Sequence, residues 1–502
     1  MSKQIVVEKM RDIFFENKVV LLFAIICLGA FYASEMTTVL FFGELFTRFG
    51  RNTFMVLSLI IPVVAGLGLN FGIVIGAMAA QIAIILVVLW GGSGFTGVLT
   101  VAIVATPIAI VFGYLVGRLF NAIKGSEMIG GMVMALFADG FYQFLLLFVM
   151  GGIIPIANER LMTGTGVGVL NVIEFGTYPS YMRQVLDDVS IGSIVTVGFW
   201  GMVVFIIVTI VSKLVKKQPL RLTESGGLSK PLVVLIVLGL VYGLSFVFWP
   251  LNVFISQNRL NGLFAVQWAL VGMIVLWLYR FVREKWIEKS GSTPIKPLVH
   301  ITIAVILSLI VLQPDISHGL NHVGIPVFTY LLIFGMCLFI RWFMSTRLGQ
   351  NMRTVGQNRV VATSAGINVD RTRIIATILS TLLAAYGQII ILQNFGIMNT
   401  YSSHSQVGVY AIAALLVGGA TVSRASVKHA IVGVLLFHSL FVLAPLAGTN
   451  LMGNALIGEY FRVFAANAVI ALALIMHAWQ RVKKYRKGQT NEAEPKEAGA
   501  TA

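Results

Sequence analysis

Long apolar runs recur along nearly the whole chain, and they leave few folds open to it. Val98–Phe120, Ile191–Val215, Leu263–Val282 and Ile374–Leu392 carry no charge except close to an end. Each is long enough to cross a bilayer as a helix. In lipid every backbone N–H and C=O must find a partner within the structure, so an open arrangement of strands is excluded and helices remain. Composition agrees, with 58% hydrophobic and only 11% charged residues, where a soluble domain carries about a quarter charged. The expected fold class is all-α: a polytopic helical membrane protein.

Several function classes drop out on the same reading. Cys27 and Cys337 both lie in apolar runs, so no disulfide framework or metal-ligand spacing is formed. The seven histidines are scattered and make no H-E-x-x-H pattern. No G-x-x-x-x-G-K-[ST] phosphate loop is present, and Ser225–Lys230 fails its spacing. Any ATP chemistry would therefore belong to another polypeptide, and no cofactor is expected on this chain. The formal charge of +16 fits basic loops facing anionic membrane lipid, and no nucleic-acid partner is expected.

Residues 1–18 read as a cytoplasmic segment and 19–482 as the membrane domain. Val19–Ala33 lacks a small-residue cleavage site, so it reads as an uncleaved first span. Phe41–Phe49 reads as an interfacial amphipathic segment. Phe54–Leu69 and Phe71–Trp90 are joined at Gly66–Asn70, where glycines break the helix. Such a break is tolerated at membrane depth when it is buried in protein or lines a cavity. Met128–Met150 follows Val98–Phe120. Residues 151–190 hold four acids, two arginines and no lysine, as suits an extracytoplasmic loop. Residues 191–313 add four runs, ending with Leu298–Leu312. After Val327–Met344 come a polar loop over 345–373 and then Ile374–Leu392, Val407–Ala420, His429–Leu446 and Val463–Trp479. The Lys/Glu/Ala-rich end, 483–502, reads as a disordered cytoplasmic tail. About fourteen spans (twelve to fourteen) with both termini cytoplasmic fit the lysines; the arginines at 48, 51, 160, 183, 259 and 462 run against the rule.

The polar loop is the most informative stretch. Arg353, Arg359, Arg371 and Arg373 assign it to the cytoplasm. Within it, Val360–Ala365 reads as a short helix stopped at Gly366. Held between two spans, such a helix forms a rigid knob for another protein; the plainer reading is a basic loop that only sets topology. The pattern Gly356, Asn358, Ala362, Ala365, Gly366 and Ile367 resembles the cytoplasmic coupling loop of bacterial ABC importer permeases of the simple-sugar and nucleoside type, relatives of branched-chain amino-acid permeases. The chain departs at Val361, where the family has the first alanine of a pair. Tyr410–Gly433, with Gly418-Gly419, resembles the family's second signature. Around Gly66–Asn70 the likeness is weaker, because Asn70 stands where the family has an aspartate. Asn121–Gly131 resembles the nucleoside-transporting members. The resemblance covers roughly residues 54–150 and 324–447 and leaves the extra spans of 191–313 without a role.

The resemblance implies a bacterial inner-membrane importer subunit. Its partners would be ABC ATPase subunits carrying ATP and Mg, a second identical or homologous permease, an extracytoplasmic solute-binding protein and a small solute. Interrupted segments in two parts of a chain point to a transport path; here these are Gly66–Asn70 and Gly418-Gly419. Asp139 sits mid-span, where insertion scales charge a carboxylate about 2.5–3.5 kcal/mol. Helical spacing aligns it with Met128, Met132, Ala135 and Gln143, a face suited to a solute with apolar sides and hydroxyl edges. A paired or protonated structural carboxylate is the alternative reading of the same residue. Asn70 is open between lining the path and capping its own broken helix. Gln267, Trp268 and Gln388 read as helix-binding polar groups, and Glu35 and Glu127 as interfacial. A proton- or ion-coupled secondary transporter working through Asp139 is the rival to an importer subunit.

Overall fold

The computed structural model describes residues 18–471, except 157, 159–160, 164–165, 177–180, 216–228, 248, 288–294, 455, 462, 465–466 and 469–470. The expected N-terminal segment, the tail over 483–502 and most of the run Val463–Trp479 lie outside the described residues. Two compact units are formed, one from Met1–Arg183 with Ile333–Ala502 and one from Gln184–Leu332.

In the first unit, α1 is Lys18–Ser34, α2 Thr38–Ser58, α3 Ile60–Val64, α4 Ile73–Leu89, α5 Gly94–Ala122 and α6 Glu127–Phe144, with β1 at Val172–Glu174. The second unit holds α7 (Ile191–Val215), α8 (Ser229–Val247), α9 (Trp249–Ser256), β2 (Arg259–Asn261), α10 (Gly262–Val282), α11 (Ile295–Val311), α12 (Pro314–Asn321) and β3 (Gly324–Pro326). The chain continues through α13 (Val327–Ser345), α14 (Arg347–Gln357), α15 (Arg359–Ser364), α16 (Val369–Phe395), β4 (Ile397–Asn399), α17 (Ser403–Val417) and α18 (Val427–Met452). The strands are three-residue clasps: β1 pairs antiparallel with β4, and β2 with β3. Among the described residues seven helices are long and apolar enough to cross a membrane, or eight if the bent pair at α11 and α12 counts as one span. Shorter apolar helices accompany them, including Val19–Ser34, Ile73–Leu89 and Ser403–Val417. The protein is an all-α, multi-pass membrane protein.

The core of the first unit is α16, which packs against α2, α4 and α5. Lipid supplies no hydrophobic drive between helices, so close packing must do the work, and small residues allow it. A Cβ on Gly76 of α4 would stand 2.4 Å from the Thr381 carbonyl oxygen, and one on Gly113 of α5 would stand 2.7 Å from the Ile378 Cα. Thr377, Ser380, Thr381, Ala384 and Ala385 on α16 are fully buried between those neighbours. A second packing group joins α18 to α1, α2 and α17. In the second unit, α10 packs on α11 and α7 on α8, and Thr329 donates a 2.5 Å hydrogen bond to the buried Asp187.

Two readings of the N-terminal third need correction. Phe41–Phe49 is not a separate interfacial piece, because α2 runs unbroken from Thr38 to Ser58. Nor is Phe54–Leu69 one span, since regular helix ends at Val64 and resumes only at Ile73. The first difference has an electrostatic reason. Arg48 pairs with Glu44 at 3.2 Å one turn away, and Arg51 lies over the Phe395 ring at 4.1 Å. Both cations are accommodated inside the protein, so the helix need not stop for them. Two other arginines that oppose the charge rule are exposed: Arg259 stands 3.9 Å from Asp188, and the Arg183 stem lies against Gly396. Arg160 and Arg462 lie outside the described residues.

Candidate functional site

The polar loop folds as two short helices set at an angle by one residue. Asn358 is extended, and its Oδ1 accepts from the N–H groups of Val360 at 2.9 Å and Val361 at 3.2 Å, starting α15. The helix stops at Gly366 (φ +75°), where Gly366 N–H donates to Thr363 O and Ile367 N–H to Ala362 O. That paired closure needs a left-handed residue, the conformation glycine adopts without strain. Asn368 then caps α16 by accepting from Arg371 N–H at 2.9 Å. Of the motif residues, Ala362 is buried and anchors α15, whereas Ala365 and Gly366 face outward. Val360 is 74% and Val361 55% exposed, so the knob presents apolar side chains at its tip. The departure at Val361 falls on that exposed tip.

At its inner end the loop is joined to the helix break. A Cβ on Gly356 would lie 2.0 Å from the Val64 carbonyl oxygen, and one on Gly66 (φ +74°) would lie 2.7 Å from the Gly356 Cα. Backbone therefore meets backbone where α14 crosses the end of α3. Arg359 reinforces the crossing, donating to Glu127 Oε1 at 2.6 Å and reaching Gly66 O at 3.4 Å. The same Glu127 oxygen accepts from Arg373, which also donates to Phe120 O at 3.2 Å. Glu127 is buried and shared by two cations, because the helix ends of α5, α6 and α16 converge on it. A push on the knob meets the Gly66 segment with no flexible side chain between them.

The break itself is packed inside the protein. Leu67, Leu69 and Asn70 are buried. Asn70 Oδ1 accepts from Gly72 N–H at 2.9 Å, closing an Asx turn just before the returning helix, whose N-cap is Gly72. Its amide reaches Ser380 Oγ at 3.4 Å, and Ser380 in turn donates to Ser58 O at 3.1 Å. The broken segment is so tied to the middle of α16.

Asp139 turns from α6 toward α17. Its Oδ1 stands 2.5 Å from His404 Nε2, and Oδ2 accepts from Gln143 at 3.2 Å. The other imidazole nitrogen of His404 is 2.7 Å from Gln81 Oε1 on α4. The Tyr142 ring meets the imidazole edge-on at 5.0 Å. Three helices therefore share a polar cluster in which His404 is fully buried and Asp139 is 27% exposed. Such a pair can hold a proton between carboxylate and imidazole or offer an oxygen to a hydroxyl. Met128 is half-buried and Met132 exposed on the same side of α6. Gly418 serves packing: a Cβ there would strike the His429 carbonyl oxygen at 1.8 Å, where α17 crosses α18. Gly419 takes a positive φ of 89° at the turn that follows. Gln388 is buried and its amide reaches Ser403 O at 3.4 Å.

The structure joins Gly356 and Arg359 to the Gly66 end of the break, keeps Asn358, Ala362 and Gly366 within the knob, and joins Asp139 to Gln143. It keeps these two clusters on different helices. Sequence reading missed Glu127, Gln81 and His404. Only Gln81 offered a signal, a polar group within an apolar run, which is expensive unless paired.

Comparison with known proteins agrees in kind. Residues 186–478 match the family described as "Branched-chain amino acid transport system / permease component". The chain is 30% identical over 163 residues to the probable ABC transporter permease protein YphD of Escherichia coli (strain K12), covering 31% of this chain and 45% of that one. It is 32% identical over 160 residues to the ribose import permease protein RbsC of the same strain, covering 30% and 46%. With the autoinducer 2 import system permease protein LsrD of Escherichia coli (strain SMS-3-5 / SECEC) it shares 28% over 186 residues, covering 35% and 53%. The chain thus spans about half the length of the curated relatives it matches. No solved structure matches it. Because the family match takes in more than half of the residues, the chain belongs to the family of permease components of branched-chain amino acid transport systems.

Proposed function

We propose that the protein is the membrane-spanning permease subunit of an ATP-driven ABC importer for a simple sugar or nucleoside-like solute. The observation that carries this reading is the knob over residues 345–373. It exposes Val360 and Val361 at its tip and abuts the Gly66 segment at its root. An ATPase subunit docking on the tip would move the helix break through the Gly356–Gly66 crossing and the Arg359–Glu127 pair. The ATPase would bring ATP and Mg, a solute-binding protein would deliver the solute on the outer face, and a second permease, identical or homologous, would complete the path. Residues Asn70, Met128, Met132, Asp139, Gln143, Gly418 and Gly419 are assigned to that path or to the helices that shape it. The chain would lie in a bacterial inner membrane with about fourteen spans and both ends inside. Relatives named as ribose and autoinducer 2 import permeases support the sugar-like class of solute.

The rival, a proton-coupled carrier, draws on the Asp139–His404 pair, a carboxylate and an imidazole 2.5 Å apart. Uptake of labelled ribose into vesicles separates the two, with the chain reconstituted alongside an ABC ATPase and a solute-binding protein from the same organism. Uptake that needs ATP and persists when the proton gradient is dissipated is the expected result. Uptake that ignores ATP and collapses with the gradient overturns the proposal.

A further inference from the structure

A second polar site lies at the other end of α16 from the knob, about 40 Å away at 1.5 Å per residue over this helix. There α2, the C-terminal turn of α16, α17 and α18 enclose a cavity of about 290 Å³. Arg48, Arg51, Asn52, Gln406, Tyr410 and His438 line it, together with apolar groups such as Phe395 and Phe441. None of the lining residues is acidic. Arg48 is already paired with Glu44 and lies over the Phe441 ring at 5.2 Å. Arg51 is not so paired: no carboxylate of a described residue forms an ion pair with it. Its Nη1 reaches Asn394 Oδ1 at a long 3.4 Å, and its plane rests on the Phe395 ring.

Burial makes this imbalance informative. Arg51 is only 9% exposed and its Nε has no hydrogen-bond partner; His438 is 4% exposed and its Nδ1 has none either. A buried charge is retained when it is paired or bound to something, and arginine offers a planar fork that matches carboxylate and phosphate. The cavity is at the lower end of the size range of small-molecule sites. It combines one buried arginine without a carboxylate partner, an amide on either side and aromatic walls.

We infer that this cavity binds the carboxylate or phosphate group of a small anionic molecule, with Arg51 as its principal ligand and Arg48, Asn52 and Gln406 around it. Resting on the importer reading, this assigns to the solute an acidic group besides its hydroxyls. An anionic lipid headgroup offers the same chemistry, and the test separates the two sources.

The full chain, purified in a neutral detergent, is titrated with labelled D-gluconate and ribose 5-phosphate, with D-glucose as the uncharged competitor. Phospholipid carried through purification is quantified in parallel from membranes containing phosphatidylglycerol. An anionic sugar should bind and D-glucose should not displace it. Arg51→Gln should weaken binding at least about tenfold, the scale of one charge-assisted hydrogen bond. Arg51→Lys, which keeps the charge, should weaken it less. Arg48→Gln, at a less buried position, serves as the second variant if Arg51→Gln does not fold. Binding lost in either variant with the melting temperature retained supports a solute site. Retained phosphatidylglycerol that Arg51→Gln alone releases supports the same site with lipid as its source. Binding by none of the three anions that depends on Arg51 or Arg48 overturns the inference, and so does equal competition by D-glucose. The measurement needs no ATPase, so its failure leaves the importer reading standing, whereas failure of ATP-driven uptake leaves the anion site standing.

Discussion

Glu127 is shared by two arginines of unequal burial, and the inequality sets what each substitution should cost. Arg373 is fully buried and Arg359 35% exposed. Removing the acid strands a buried cation, which typically costs about 3–5 kcal/mol. Removing the half-exposed partner leaves the buried pair intact and should cost about 1 kcal/mol or less. Thermal unfolding in detergent should therefore rank Glu127→Gln well below Arg359→Gln, and the reverse order would mean that Arg373 is held by something else. Asp139 poses the matching question for the path. In an ABC permease energy enters at the knob, so position 139 need only remain polar and of the right size. Asp139→Asn keeps an oxygen toward His404 and should retain much of the ATP-driven uptake. Asp139→Leu leaves Nε2 of the fully buried His404 imidazole without its partner, a loss of about 1–3 kcal/mol for an unsatisfied group, and should transport less. An Asn variant that is folded, assembled and inactive in vesicles with the gradient dissipated would assign proton transfer to this residue.

Two glycines of the knob do different jobs, and substitutions tell them apart. At Gly366 an added Cβ meets nothing within 4 Å, so only the positive φ of 75° resists a side chain. Gly366→Val should distort the closure of α15 at a cost of about 1–3 kcal/mol of local strain while leaving membrane insertion intact. Solute-stimulated ATP hydrolysis by the assembled complex should fall; full stimulation would mean that the ATPase docks elsewhere. At Gly356 the obstacle is backbone, with the Val64 carbonyl 2.0 Å from the new Cβ. Gly356→Ala should force α14 away from α3, costing about 1–3 kcal/mol as overpacking does, and should lower both the melting temperature and the stimulated hydrolysis. A variant with native melting and native stimulation would show that the crossing transmits nothing. Local signals made one of these positions readable from sequence: a polar loop, a short apolar helix and a glycine at its stop. The second half of the story was not readable, because it depends on contacts between distant segments. Arg373 and Glu127 are 246 positions apart, and Arg373 reads simply as a basic loop residue until α5, α6 and α16 are packed together. His404 gave no pattern for the same reason, since its partners Asp139 and Gln81 lie on two other helices.

For the molecule as a whole, the apolar runs specified helices because lipid permits little else, but run lengths did not specify where each helix would end. Gly66–Asn70 reads as a break between two runs, and the structure widens it to residues 65–72, with Asn70 closing a turn onto Gly72 before the helix returns. Of the described arginines that oppose the charge rule, Arg48 pairs with Glu44 and Arg51 lies over the Phe395 ring, whereas Arg183 and Arg259 are exposed. The orientation expected from loop charge has a direct test. Cys27 and Cys337 are free, so replacing both with alanine gives a background in which one new thiol reports its own side. Glu174, Asn321 and Gln357 are exposed, and each is replaced singly by cysteine. Loop 151–190 has no lysine, whereas the knob is rich in arginine, and short loops rich in Lys and Arg stay in the cytoplasm. Thiols at 174 and 321 should accordingly react with a membrane-impermeant maleimide in intact cells. The thiol at 357 should react only after the cells are opened. Labelling at 357 in sealed cells would place the knob outside, where no cytoplasmic ATPase could reach Val360 and Val361, and the importer mechanism would fall with the topology.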